Sequence, residues 1–323
     1  MSATLQLLGL AALGFVLLSS LVVTAFVPRL LRATAAWGPA SRHHALRWLG
    51  VAPLLATAVA LLSAVKPSLL ALAWPASDHC AAHDGHAHLC LIHGAGEHGG
   101  RVVWLLLAAG AAWVSVGLGH ELRRLVVGRR VVRRLLAHAR YDRARDAWIV
   151  PTAQPLCVSV GVFRPRLVLS RGLLESASAS ELAVMVAHEA AHGARRDALA
   201  RLVVRLATVV LPRRAREPLR AALELAAERA CDERAAAAVG DRLRVAETLL
   251  AMERRLAAPD GALITAFGGS ALPERVEALL ADPPPTHPRR LAGRLALASA
   301  VVVLAAHDVL HHATESALAH LFH

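Results

Sequence analysis

His188 and His192 stand four residues apart in residues 184–197, VMVAHEAAHGARRD. On a helix of 3.6 residues per turn that spacing puts both imidazoles on one face, one turn apart, where they can share a metal ion. Glu189 follows the first histidine and would project beside such an ion, placed to take a proton from a water molecule there. His-Glu-x-x-His is therefore a zinc-hydrolase signature with a mechanical reason. The rival is an alanine-rich helix that carries two of the chain's 18 histidines by chance.

A third ligand is available in residues 222–235, ALELAAERACDERA, whose composition is helical throughout. Glu228 and Asp232 are again four apart, so Glu228 can ligate the ion while Asp232, on the same face, orients a ligand histidine from behind. Charge pattern alone fits equally a solvated face formed with Arg229, Glu233 and Arg234.

These side chains need elements to hold them. Ser178 and Glu181 have the spacing of a capping box, in which each side chain satisfies a free amide at a helix start. Leu182, Val184, Met185, Val186 and Ala187 make the helix largely buried, and Gly193 offers a stop or a kink after the second histidine. Residues 158–162 and 166–169 read as short strands about Gly161 and Pro165, with the proline favouring a sheet edge. Such an edge can accept an extended peptide as an added strand beside the metal.

HEAAHGARRD, followed downstream by Glu228-Arg-Ala-Cys-Asp232, resembles the membrane zinc peptidases of the beta-lactam-sensor signal-transducer type, and more distantly the HtpX and CAAX-prenyl endopeptidase group. Residues 161–170, GVFRPRLVLS, look like the strand leading into the first family's catalytic helix. Pro212 lies where a proline commonly divides the next two helices, and residues 275–280, RVEALL, look like its Arg-Ile-x-x-Leu segment. The resemblance implies a Glu-zincin site in which His188, His192 and Glu228 hold Zn2+, Glu189 is the catalytic base and Asp232 stands behind the ligands. It also implies a signalling role, cleavage of a cytoplasmic protein such as a transcriptional repressor. The chain lacks a large outer penicillin-binding domain, so beta-lactam recognition is not carried over. His287, in Thr-His-Pro, is similar to a tripeptide of the prenyl-endopeptidase group but follows the Arg275 segment, which reads better as a linker.

The composition is that of a membrane protein: 56% apolar, only 4% aromatic, with a net charge of +12 carried almost wholly by arginine. Residues 1–27 form a first transmembrane helix, with a cleaved signal peptide as the rival reading. Residues 28–47 form a basic loop whose Arg29, Arg32, Arg42 and Arg47 keep it cytoplasmic. Residues 48–74 and 102–121 are the second and third spans, 291–310 a marginal fourth, and 311–323 a His-rich outer tail. Ser63 to Lys66 spells an acylation signature but sits inside a span without its partner motifs, so coincidence explains it.

The outer loop, residues 75–101, carries Cys80 and Cys90, which could pair outside the cytoplasm, and a histidine cluster. His79, His83, His86 and His88 suit a metal-sensing site, and a mobile polar connector is the alternative. Residues 122–290 are charged and mixed, long enough for one cytoplasmic peptidase domain in which Cys157 and Cys231 are reduced and buried. Residues 199–211 read as an amphipathic helix, because Arg201 and Arg205 interrupt a short apolar run.

The expected architecture is a mainly α integral membrane protein, with four transmembrane helices and a cytoplasmic α+β peptidase domain of the Glu-zincin type bearing a short edge-stranded sheet. Its expected partners are a protein substrate and the lipid bilayer, with a homodimer left open. The arginines cluster at membrane flanks and no nucleic-acid signature occurs, which argues against direct nucleic-acid binding. Membrane-protein quality control and a non-catalytic metal sensor on the same fold are the competing functions.

Overall fold

The computed structural model describes residues 2–74, 100–256 and 271–282. Cys80 and Cys90, the cluster of His79, His83, His86 and His88, His287, the fourth span at 291–310 and the tail at 311–323 lie outside the described residues.

Among the described residues, three helices are long and apolar enough to cross a membrane: α1 (Ser2–Ala33), α2 (Pro39–Ala73) and α3 (Arg101–Ala137). Leu17, Leu18 and Leu21 of α1 and Val102, Leu105 and Val116 of α3 are all exposed, as suits a hydrocarbon surrounding. Each helix runs beyond its expected limit. Most of residues 28–47, expected as a loop, is helix, and only a short turn separates Ala33 from Pro39. Arginine is a good helix former, so the backbone ladder does not end where apolar composition does. Pro39 can open α2 because the first turn of a helix has no use for its missing N–H.

The far ends of α1 and α2 pack through Leu7, Ala11 and Ala64. At their arginine-bearing ends, Val27 and Leu46 enter a common core with Val204 of α6 (Asp197–Ala207) and Leu219, Leu223 and Ala226 of α7 (Arg213–Val239). Pro212 caps α7. A buried ion pair adds α3 to this junction: Arg220 of α7 donates Nη1 to Glu121 Oε1 at 2.8 Å, Nε to Thr208 Oγ1 at 2.9 Å and Nη2 to the Arg205 carbonyl at 2.6 Å.

A four-stranded mixed sheet follows α3, with β1 (Arg140–Asp142), β2 (Ala147–Val150), β3 (Cys157–Val160) and β4 (Arg166–Ser170) in the order β1-β2-β4-β3. β2 and β4 are parallel and the other pairs antiparallel. β3 is therefore an edge. Gly161, at φ 110°, turns the chain out of β3, and a Cβ there would meet the Arg164 carbonyl oxygen at 2.5 Å, so only glycine fits. One face of the sheet is covered by α4 (Arg171–Ser176) and α5 (Ala179–Arg195), with Ala147, Cys157, Leu169, Leu173 and Met185 in one core.

Ser178 starts α5 with a complete capping box: its Oγ accepts the Glu181 N–H at 3.2 Å, and the Glu181 carboxylate accepts the Ser178 N–H at 2.8 Å. The helix passes through Gly193 and ends at Arg195, where Arg196 turns left-handed at φ 54°. α8 (Arg242–Leu256) and α9 (Leu272–Leu280) close the unit, burying Val245 and Leu279 against Val184 of α5 and Ala235 and Ala236 of α7.

Candidate metal centre

α5 and α7 lie side by side, and the small residues between them, Ala187 with Ala235 and Ala236, let the two backbones approach closely. Across that contact the Nε2 atoms of His188 and His192 are 3.2 Å apart. Glu228 reaches both, with Oε2 at 3.4 Å from His188 Nε2 and Oε1 at 3.4 Å from His192 Nε2. Ligand atoms bonded at about 2.05 Å to one tetrahedral ion stand about 3.3 Å from each other, which follows from the zinc bond lengths and the tetrahedral angle. The triangle therefore has the edges of one face of such a tetrahedron, and all three residues line a cleft.

Groups behind the triangle fix its orientation. Asp197, the first residue of α6, takes His192 Nδ1 at 2.9 Å, Arg195 Nε at 3.1 Å and the Cys231 thiol at 3.5 Å, all on Oδ2. Asp232 Oδ1 lies 3.0 Å from His188 Nδ1, off the line of a hydrogen bond, so that contact is electrostatic. Arg275 of α9 clamps the Asp232 carboxylate with Nε at 2.8 Å and Nη2 at 2.7 Å, and its Nη1 stands 3.3 Å from Glu228 Oε2. The Asp232 side chain is 1% exposed and that of Glu228 29%, so the first is locked inside while the second faces the cleft. Neither Asp197 nor Arg275 has a role in the sequence reading. The signal for Asp197 was its place just past the helix end, where a left-handed turn folds it back under His192.

The field of this cluster favours a cation. Desolvation works against charge on His188, but Asp232 and Glu228 outweigh it and push its pKa up to about 8. The same contest at His192, won by Asp197, Cys231 and Glu228, pushes its pKa up to about 12. Desolvation would raise the Glu228 carboxyl, yet both imidazoles and Arg275 hold it well below the usual range, so it stays ionised. A site that holds protons this firmly on its nitrogens is built for positive charge, and a divalent ion would displace those protons.

Glu189 points to the other side of the ligand pair. Its Oε2 accepts the edge amide of Ser159 on β3 at 2.7 Å. Burial raises its pKa, only partly offset by the two imidazoles and that amide, which suits a group that takes and returns a proton. Ser159, Gly161, His188, Glu189, His192 and Glu228 line a cleft of about 340 Å³ along the β3 edge. A smaller, mainly apolar pocket of about 50 Å³ shares the His188 and Glu189 walls, with Val184, Met185, Val245, Leu249, Met252 and Leu272 around it and Asp232, Thr248, Glu253 and Arg275 also on its lining. Cys157 and Cys231 are both buried free thiols.

Residues 152–279 match the family model described as BlaR1 peptidase M56, and the matched segment contains His188, Glu189, His192, Glu228, Asp232 and Arg275. No curated protein and no solved structure matches the chain. The family match bears out the resemblance to the sensor-transducer peptidases and indicates a metallopeptidase; with three helices fit to cross a bilayer, it indicates a membrane protein.

Proposed function

We propose that the chain is a membrane-embedded zinc endopeptidase that cleaves a cytoplasmic protein. The observation that carries this reading is the triangle of His188, His192 and Glu228, whose edges of 3.2, 3.4 and 3.4 Å suit one tetrahedral ion. Mixed imidazole and carboxylate ligation with an open corner makes zinc the first choice. Bound there, zinc would supply a Lewis acid for a peptide carbonyl and lower the pKa of water to around 7.

The protein's own groups do the rest. Glu189 takes a proton from the attacking water as its oxygen adds to the carbonyl carbon, then passes that proton to the nitrogen as the C–N bond breaks. Asp197 holds His192 in the tautomer that leaves Nε2 free for the ion. The open edge of β3 can pair an extended peptide along the cleft. The apolar pocket shares its wall with Glu189, which must reach the departing amine, so it lies on that side of the scissile bond. At roughly 10–15 Å³ for each water-sized centre, its volume takes an aliphatic side chain rather than an aromatic ring.

The cytoplasmic placement is supported by Arg29, Arg32, Arg42 and Arg47, which flank the α1–α2 turn near the core shared with α6 and α7, and by Arg123 and Arg124, which follow Glu121, the α3 residue paired with Arg220 of α7. Likeness to the sensor-transducer peptidases favours a transcriptional repressor as the substrate. A Glu189→Gln variant expressed in its own host tests this. Loss of cleavage by about 10²- to 10⁴-fold, with a repressor retained on the variant, supports signalling proteolysis. Retention of many unfolded membrane proteins instead would favour quality control, and cleavage equal to wild type would remove the catalytic reading.

A further inference from the structure

We propose that His43, from the membrane helix α2, is a positioning residue for the metal centre, acting through Arg195 and Asp197 on His192. His43 is buried in the second turn of α2, flanked by Arg42 and His44. Arg195 Nη2 stands 2.9 Å from His43 Nδ1. A guanidinium can only donate, so Nδ1 is the acceptor and the ring proton sits on Nε2. That Nε2 faces Asp197 Oδ1 at 3.7 Å.

The Asp197 carboxylate is loaded unequally. Oδ2 receives His192, Arg195 and Cys231, whereas Oδ1 is buried without a hydrogen bond. Among the described residues, the His43 N–H is the polar group that faces Oδ1. Arg195 closes the link, with Nε on Asp197 and Nη2 on His43. His43, Arg195 and Asp197 thus form one braced unit, and the carboxylate it holds fixes the ring plane of His192.

The brace depends on where α2 stands. α2 lies directly on α6: a Cβ at Gly50 would come within 2.8 Å of the Val204 side chain, and Leu46 shares a core with Val204. A displacement of α2 along its axis by about 1 Å would take His43 out of reach of Arg195, since hydrogen bonds weaken steeply beyond their usual range. Asp197 would then be free to turn, and His192 with it. No comparable contact links α1 or α3 to a ligand histidine among the described residues.

The test uses the full-length protein in detergent micelles, loaded with Co2+ so that the visible absorption reports ligand geometry, alongside Zn2+ affinity by competition. His43→Ala should shift the cobalt bands and weaken zinc binding about tenfold, the low end of the range for groups that orient metal ligands. His43→Asn should restore both, because its Oδ1 can occupy the place of Nδ1 and accept from Arg195. Arg195→Met breaks that link without altering α2 and also removes the Nε bond to Asp197, so it should shift the bands at least as far as alanine does, which covers the case in which His43→Ala does not fold. Cobalt bands and zinc affinity unmoved in folded His43→Ala or in Arg195→Met would overturn the brace alone. The brace rests on the metal-centre reading, and wild type that takes up no cobalt would overturn both.

Discussion

Metal uptake should release close to two protons from the imidazoles at pH 7, many more than an ordinary pair of histidines would. His188 with its pKa at about 8 and His192 at about 12 are both protonated in the metal-free site at that pH. The pair then carries about 1.9 protons, against about 0.5 for two imidazoles at the unperturbed value near 6.5. Water on the ion, with a pKa near 7, adds roughly half a proton in either case. The expected total is thus about 2.4, and for unperturbed ligands about 1. The sign follows from competition: a raised pKa keeps protons where the metal must bind, so affinity grows with pH until the protons leave by themselves. Between pH 6 and 7 both imidazoles contribute, and their protons alone should make affinity rise about 90-fold. Calorimetric titration of the metal-free protein in buffers of different ionisation enthalpy counts the protons directly. Release of one proton or fewer, or an affinity unchanged from pH 6 to 7, would refute the electrostatic reasoning.

Three further outcomes are expected. Leu249→Trp fills the apolar pocket, and mass-spectrometric mapping of cleavage sites should show the preference for an aliphatic residue after the scissile bond replaced by one for small residues, with metal content unchanged. Arg220→Met leaves Glu121 buried without its cation and should destabilise the protein by about 3–5 kcal/mol, read as a lower midpoint in chemical denaturation, with cleavage specificity intact. In metal-stripped protein the raised His188 pKa contributes stability that is fully present below about pH 6.5 and is lost as pH rises through about 8. That contribution is about 2 kcal/mol, so the melting temperature of stripped protein should fall across this window and that of loaded protein should not.

Parts of the site were legible because they depend on local geometry. The helical period alone brings His188 beside His192 and Glu228 onto the face of Asp232, and the Ser178 box marks where α5 begins. Gly161 and Pro165 similarly announced β3 and β4. What stayed hidden depends on long-range packing or on turns that break a pattern. Asp197 is brought back to His192 by a left-handed Arg196, a conformation that arginine does not advertise. Arg275 meets Asp232 only because α9 folds across α7. Glu121 looks like a solvated charge in an arginine-rich run, yet it is buried against Arg220. β1 and β2 are too short, and β1 too polar, to show an alternating pattern. His43 has no part in the sequence reading, because nothing in its neighbours suggests a link to Asp197.

The most direct measurement is the metal content of purified wild type beside Glu228→Ala, both dialysed against a weak chelator and analysed by inductively coupled plasma mass spectrometry. Glu228 sits on a different helix from the two histidines, so its contribution depends on the packing of α5 against α7. Wild type should keep a single equivalent of zinc, and the variant should lose it under the same dialysis. Wild type without metal, or a variant that retains zinc as wild type does, would contradict a centre built from His188, His192 and Glu228.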